Sequence, residues 1–167
     1  VEEPAEEMEE EAEEMEEEDM EEPMAELDLD AQFTTFIADM DHYNTVGLEA
    51  LSEMMVENPP FLLDVREPGE LTEKGWIEGA VNIPLREVAD NLQYLPSFDT
   101  PIVSYCGSGW RCTIALTALE AMGWEDVTGL KGGSFGGWVE AGYPSAEGEI
   151  PEVQAEGPVV VLLRSQD

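Results

Sequence analysis

The chain has 167 residues and a formal net charge of −34, and 18 of its 40 acidic residues fall within residues 1–30. The remainder still carries 22 acidic against 6 basic side chains, which argues against nucleic acid and anionic membrane surfaces as partners. Two cysteines six positions apart give no disulfide framework and no zinc-ligand spacing, and no apolar run approaches the roughly 20 residues that span a bilayer. We therefore expect one globular domain with no metal, no cofactor and no transmembrane segment.

Residues 1–30 form an acidic, low-complexity tract that begins VEEPAEEMEEE. Its charges repel one another and it lacks bulky apolar side chains, which is typical of disordered tails and spacers. The alternative is a helix that forms on a partner, because alanine and methionine recur at helical spacing over residues 5–15. We predict a tail or spacer, with a protein partner held through it as a second option.

The residues after the tail alternate between helical and strand patterns. The apolar spacing predicts helices over 32–40, 48–56 and 112–123, and strands over 61–65, 80–84, 101–105 and 126–130. Strands that alternate with helices predict an α/β domain over 31–145, with a mostly parallel sheet covered by helices on both faces. Residues 146–167 are interpreted as a C-terminal linker or extension, in which VVVLL (159–163) is a further strand candidate.

The stretch YCGSGWRC places Cys106 directly after the strand 101–105. Open α/β sheets bind ligands at the carboxyl ends of their strands, so this cysteine lies where a site is expected. A thiol reacts as its thiolate, which backbone N–H groups, a helix amino terminus and a nearby arginine all stabilise. Gly107 and Gly109 allow the loop to curl with its N–H groups inward, and Arg111 supplies a fixed cation.

Other chemically capable residues have simpler structural interpretations. His42, the only histidine, lies in a polar turn and is expected to be an exposed bystander rather than a general base or metal ligand. Cys112 matches the apolar face of its helix, which predicts a small buried side chain; a resolving thiol for Cys106 is the alternative. Asp64 is expected to bind the backbone and Arg66 rather than to serve in acid–base chemistry.

Four sequence blocks carry a resemblance to a known family. They are LLDVREPGEL (62–71), GWIEGAVNIPL (75–85), IVSYCGSGWRC (102–112) and GLKGGSFGGWVEAGYP (129–144). In order and spacing they resemble the signature blocks of the rhodanese-like, or sulfurtransferase, domain family, over about residues 45–145. The resemblance implies a five-stranded, mostly parallel sheet flanked by helices, and a cysteine that carries sulfane sulfur as a persulfide.

The same resemblance implies roles for individual residues. Cys106 would be the catalytic nucleophile, with Arg111 as the second catalytic residue, while Asp64 and Arg66 would support the site from a neighbouring strand. The substrate-binding cradle would consist of Gly107, Ser108, Gly109 and Trp110. Only four residues separate the cysteine from the arginine, one fewer than in the cysteine-dependent phosphatases, so the smaller loop favours sulfur over phosphate.

Two positions bear on the fit to the family. Trp76 stands where the family usually has a histidine that is regarded as structural, so the exchange concerns local packing more than chemistry. Trp110 places a large aromatic ring within the loop, where it would either narrow the pocket, form an apolar wall for an acceptor, or cover the domain surface.

We therefore expect a sulfurtransferase that moves sulfane sulfur from thiosulfate or a persulfide to a thiol or cyanide through a Cys106 persulfide. This reaction requires a sulfur atom that the donor can reach. The alternative is a non-catalytic interaction or sulfur-carrier module of the same fold, tethered in a larger assembly. A first residue other than Met and the spacer-like tail favour an extracytoplasmic location, periplasmic or lipid-anchored after processing, with the cytoplasm as the alternative.

Overall fold

The computed structural model describes residues 29–39 and 42–149. The predicted acidic tail, apart from its last two residues, lies outside the described residues, and so do the strand candidate 159–163 and the side chain of His42. In the described part of the chain, no helix combines the length and the apolar character that crossing a membrane requires.

A five-stranded sheet forms the centre of the described domain. Its strands are β1 (Thr45–Val46), β2 (Phe61–Asp64), β3 (Val81–Asn82), β4 (Ile102–Tyr105) and β5 (Val127–Leu130). The strand order is β1-β5-β4-β2-β3 and every pairing is parallel, which confirms the predicted sheet. β4 is the central strand and is buried along its whole length, so the residue that follows it emerges between the ends of β2 and β5.

Helices cover both faces of this sheet. They are α1 (Leu29–Asp39), α2 (Leu48–Glu57), α3 (Pro68–Lys74), α4 (Trp110–Ala121) and α5 (Ser134–Glu140), with 3-10 turns at His42–Asn44, Leu85–Asp90 and Leu92–Tyr94. The predicted helices correspond to α1, α2 and α4. Apolar periodicity does not predict α3 or α5, because each is only seven residues long and contains glycine.

The core lies in two layers, one on each face of the sheet. On one face Ile102 packs with Leu116 of α4, and on the other Val103 packs with Leu51 of α2 and Trp138 of α5. Successive residues of a strand point to opposite faces, and this alternation continues past the end of β4. Cys106 therefore belongs to the layer under α4.

A close backbone approach fixes the start of α5 beside the end of β4. A Cβ atom added at Gly137 would lie 1.8 Å from the carbonyl oxygen of Gly132, a distance that no side chain tolerates. Ser134, the first residue of the helix, has a positive φ of 56°, which L residues seldom adopt. The turn therefore depends on glycine, and it directs the amino end of α5 toward Cys106, as described below.

We expect Gly137→Ala to lower the free energy of unfolding by about 1 to 3 kcal/mol, because the added methyl group must push the 132–133 turn away. Thermal and urea unfolding measure the effect. Gly69→Ala is the matched control, because a Cβ there meets nothing within 4 Å and the residue lies in α3, where alanine is favoured over glycine. Equal stability of the two variants would contradict the close approach.

Candidate active site

Cys106 lies at the carboxyl end of β4, and its side chain is only 1% exposed. The loop that follows it turns sharply at Gly109, whose φ is 108°, and α4 begins at the next residue. A positive φ at this point requires glycine. The chain thus bends around the cysteine sulfur, with Ser108 on its solvent-exposed outer side.

Several hydrogen-bond donors converge on the Cys106 sulfur. The N–H of Gly109 donates to Sγ at 3.1 Å. The Cys112 thiol, followed by the backbone N–H groups of Cys112, Ser108 and Gly109, lowers the pKa of Cys106 to about 4, against the opposite effect of burial. Donors to the charged form of a group stabilise that form, so the sulfur is a thiolate at neutral pH. No imidazole takes part in this arrangement.

Arg111 lies beside the loop and is held by a carboxylate. Its Nη1 donates to Glu70 Oε2 at 2.6 Å and its Nη2 donates to Glu70 Oε1 at 2.9 Å, a bidentate pair. These bonds lower the pKa of Glu70 to about 2. The pKa of Arg111 is raised by Glu70 first and also by the charge on Cys106, which places the guanidinium next to the sulfur. Each side chain of the pair is about one third exposed, so solvent reaches it.

The amino end of α5 fixes the backbone at the base of the loop. The Cys106 N–H donates to Ser134 Oγ at 2.9 Å, and the N–H of Phe135 donates to the Cys106 carbonyl at 2.9 Å. The N–H of Gly136 donates to the Gly107 carbonyl at 3.1 Å. Three consecutive residues of one helix thus hold two consecutive residues of the loop, which keeps the sulfur at a fixed position.

The predicted supporting residues lie behind this helix end. Arg66 donates its backbone N–H to Asp64 Oδ1 at 3.0 Å and its Nε to the same oxygen at 2.9 Å, so Asp64 binds Arg66 as predicted. The guanidinium also donates to the Gly75 carbonyl at 2.9 Å and lies 4.0 Å from the centre of the Phe135 ring. This buried pair reaches Cys106 through Phe135, whose N–H binds the Cys106 carbonyl.

The structure brings Cys106, Gly107, Gly109 and Arg111 together, but it places the Trp110 ring elsewhere. That ring is 81% exposed, so it neither narrows the loop nor walls it, contrary to two of the three expectations. Trp110 opens α4 on the helix face opposite the buried residues of that helix. It therefore belongs to the surface beside the loop.

Trp76, at the position of the family histidine, is buried and has a packing role. Its backbone pairs with Ala146 through two hydrogen bonds, of 2.9 and 2.7 Å. Metal chemistry finds no support in residues 29–39 and 42–149, where no group of three or more His, Cys, Asp or Glu side chains could hold an ion.

Two site residues escape sequence reasoning. Glu70 had a local signal, because Glu67, Pro68 and Glu70 form the pattern of a helix start in which the later carboxylate binds the first N–H, here at 3.1 Å. That pattern predicts a helix but not the bond to Arg111, which is 41 positions away. Ser134 had no signal beyond its place among glycines.

Comparisons with known proteins agree with this geometry. A Schizosaccharomyces pombe protein named "Putative thiosulfate sulfurtransferase, mitochondrial" is 31% identical over 91 residues, which cover 47% of this chain and 61% of that protein. A tRNA uridine(34) hydroxylase of Xanthomonas euvesicatoria pv. vesicatoria is 33% identical over 95 residues, which cover 54% of this chain and 38% of that protein. The chain thus spans less than two thirds of the length of each of these two relatives.

The fold has counterparts among solved structures. The crystal structure of a rhodanese-related protein from Thermoplasma volcanium matches with a TM-score of 0.56 and 30% identity, over 62% of this chain and 98% of that chain. The family model described as the rhodanese-like domain matches residues 48–141, which include the sheet from β2 to β5 and the whole loop around Cys106. The chain belongs to the rhodanese-like domain family.

Proposed function

We propose that this protein is a sulfurtransferase that moves a sulfane sulfur through a persulfide on Cys106. The observation that carries the proposal is the Cys106 sulfur, held as an anion at the end of β4 by loop donors, with the guanidinium of Arg111 beside it. Membership of the rhodanese-like family and the similarity to a protein named as a thiosulfate sulfurtransferase support the same reaction class.

In the first half-reaction the Cys106 thiolate attacks the outer sulfur of thiosulfate or of a persulfide. A bond forms between Sγ and that sulfur, the donor S–S bond breaks, and sulfite or a thiolate leaves with the electron pair. The product on the enzyme is a persulfide whose terminal sulfur carries the negative charge. Arg111 and the loop N–H groups stabilise this charge and that of the donor.

In the second half-reaction a thiolate or cyanide acceptor attacks the terminal sulfur of the persulfide. The bond between the two sulfurs breaks and Cys106 leaves as a thiolate, so the enzyme returns to its first state. A thiol with a low pKa is a good leaving group, and the pKa of Cys106 is about 4. Splitting one transfer into two steps in this way predicts ping-pong kinetics.

Access to the sulfur is the step that the observed conformation restricts. Cys106 is almost completely covered, so a donor reaches it only when part of the loop or a covering side chain moves. The Arg111–Glu70 pair is the element we assign to this movement, because a partly exposed ion pair contributes only about 0 to 1 kcal/mol. An anionic donor would replace Glu70 as the partner of the guanidinium and draw it away from the pair.

The second candidate function is a non-catalytic interaction or sulfur-carrier module within a larger protein assembly. The burial of Cys106 favours it, and so does the similarity to a hydroxylase of which this chain covers only 38%. A protein that accepts no sulfur from any donor, yet copurifies with other subunits in fixed ratio, would establish this function instead.

Intact mass spectrometry tests the persulfide directly. Incubation with thiosulfate or a low-molecular-weight persulfide should add one sulfur atom, about 32 Da, and a thiol or cyanide acceptor should remove it. Cys106→Ser should abolish the gain, whereas the protein with Cys112→Ser should still acquire the sulfur. Absence of the added mass with every donor would refute the catalytic proposal.

The charge state of Cys106 can be followed by the ultraviolet absorbance of the thiolate. A group whose pKa is lowered to about 4 is ionised above that pH and protonated below it, so the absorbance should fall as the pH is lowered through about 4. Cys106→Ser should remove this step, and circular dichroism verifies that the protein remains folded. A cysteine step near pH 8.5 would mean that the loop does not stabilise the anion.

Glu70→Gln should lower the KM for thiosulfate by about two- to fivefold, the size of a partly exposed ion pair. The substitution removes the carboxylate that competes with the donor for Arg111, while glutamine remains suitable at this position of the helix start. Steady-state kinetics at constant ionic strength measure the change. Glu73→Gln, on the exposed part of the same helix, controls for the loss of one negative charge. An unchanged or higher KM would show that Glu70 does not compete.

A further inference from the structure

Cys112 is buried as predicted, with 1% of its surface exposed, but its surroundings are polar as well as apolar. Its Sγ–H donates to the carbonyl of Gly109 at 3.0 Å, and the N–H of the same glycine donates to the Cys106 sulfur at 3.1 Å. The two cysteines therefore bind the two ends of one residue. On the sheet side, Cys112 Sγ lies 3.7 Å from the position that a Cβ of Gly129 would occupy.

Ser134 connects to both cysteines. Its Oγ accepts the Cys106 N–H at 2.9 Å, so its own proton is free to donate, and the Cys112 sulfur is the acceptor it reaches. The Cys112 thiol in turn has two acceptors within reach, the Gly109 carbonyl and the Cys106 sulfur. When Cys106 is ionised, its sulfur is the more strongly charged of the two.

We propose that Cys112 is a positioning residue that donates its thiol proton to the anionic sulfur of Cys106, within a buried network completed by Ser134. The donor holds the nucleophile ionised before the first half-reaction and stabilises the departing thiolate in the second. In this kinetic role the inference rests on the proposed function; as a statement about the two thiols it does not.

The electrostatic surroundings assign the proton to Cys112. The pKa of Cys112 is raised, first by its hydrogen bond to Cys106, then by burial and by the Cys106 charge. The charged group that faces Cys106 is Arg111, with Glu70 behind it, and this cation favours the anion on Cys106. One thiolate and one thiol therefore share the pocket, and each stabilises the charge state of the other.

The chain contains two cysteines, so protein labelled with ¹³C at cysteine Cβ gives two resonances that report each thiol separately during a pH titration. We expect Cys112→Ala to raise the midpoint of Cys106 by about one to two pH units, the size of one hydrogen bond to an ion. Cys112→Ser keeps a donor and should leave the midpoint within about half a unit of the wild-type value. An unchanged midpoint in a folded Cys112→Ala protein would overturn the proposal.

The reciprocal titration requires no change at Cys112. In Cys106→Ser the neighbouring anion is absent, so the Cys112 midpoint should fall below its wild-type value, because coupling between two sites is mutual. An unchanged Cys112 midpoint would also overturn the proposal, even if Cys112→Ala fails to fold. Neither titration involves sulfur transfer. Loss of the persulfide signal with intact coupling would therefore refute the proposed function and leave the thiol pair standing.

Discussion

The rest of the site depends on one constraint, a sulfur anion kept in an almost fully covered position. Burial alone raises the pKa of a thiol, so the anion exists only where hydrogen bonds outweigh desolvation. The fold meets this condition by ending a buried strand at Cys106 and starting a helix four residues later, at Trp110. That short connection turns its N–H groups toward the sulfur, and a wider loop would weaken these contacts.

The same constraint explains why the support for the loop comes from distant parts of the chain. The loop residues spend their N–H groups on the sulfur, so the loop carbonyls must find donors elsewhere. The amino end of α5 supplies them to Cys106 and Gly107, and its own position depends on the contact between Gly132 and Gly137. The buried pair of Asp64 and Arg66 packs behind this helix end. Stability and reactivity are thus linked through the backbone of α5.

Much of the fold could be predicted from local patterns, and the omissions have physical reasons. The run 61–65 predicts β2, observed at Phe61–Asp64, because a strand buried on both faces must be continuously apolar. β1 has only two residues and offers no periodicity to detect. α5 contains the sequence SFGG, which favours turns, and it is helical because tertiary packing overrides the local preference.

The site divides in the same way. Cys106 and Arg111 could be identified because they lie in one short stretch, and the outward direction of Trp110 also follows from helical spacing, since the buried face of α4 begins at Cys112. The partners of these residues could not be identified. Ser134 binds Cys106 across 28 positions and Glu70 binds Arg111 across 41, so both contacts exist only once the sheet has assembled.

The distribution of charge sets the class of donor that suits this loop. The chain has 6 basic residues against 40 acidic ones, so its long-range field repels anions. At the site, Arg66 is neutralised by Asp64 and Arg111 by Glu70, which leaves the backbone amides as the uncompensated positive charge near the sulfur. Amide dipoles act only at contact distance. The arrangement therefore gives no attraction to a free dianion at a distance, and it favours a donor that is brought to the loop by other contacts and presents its sulfur there.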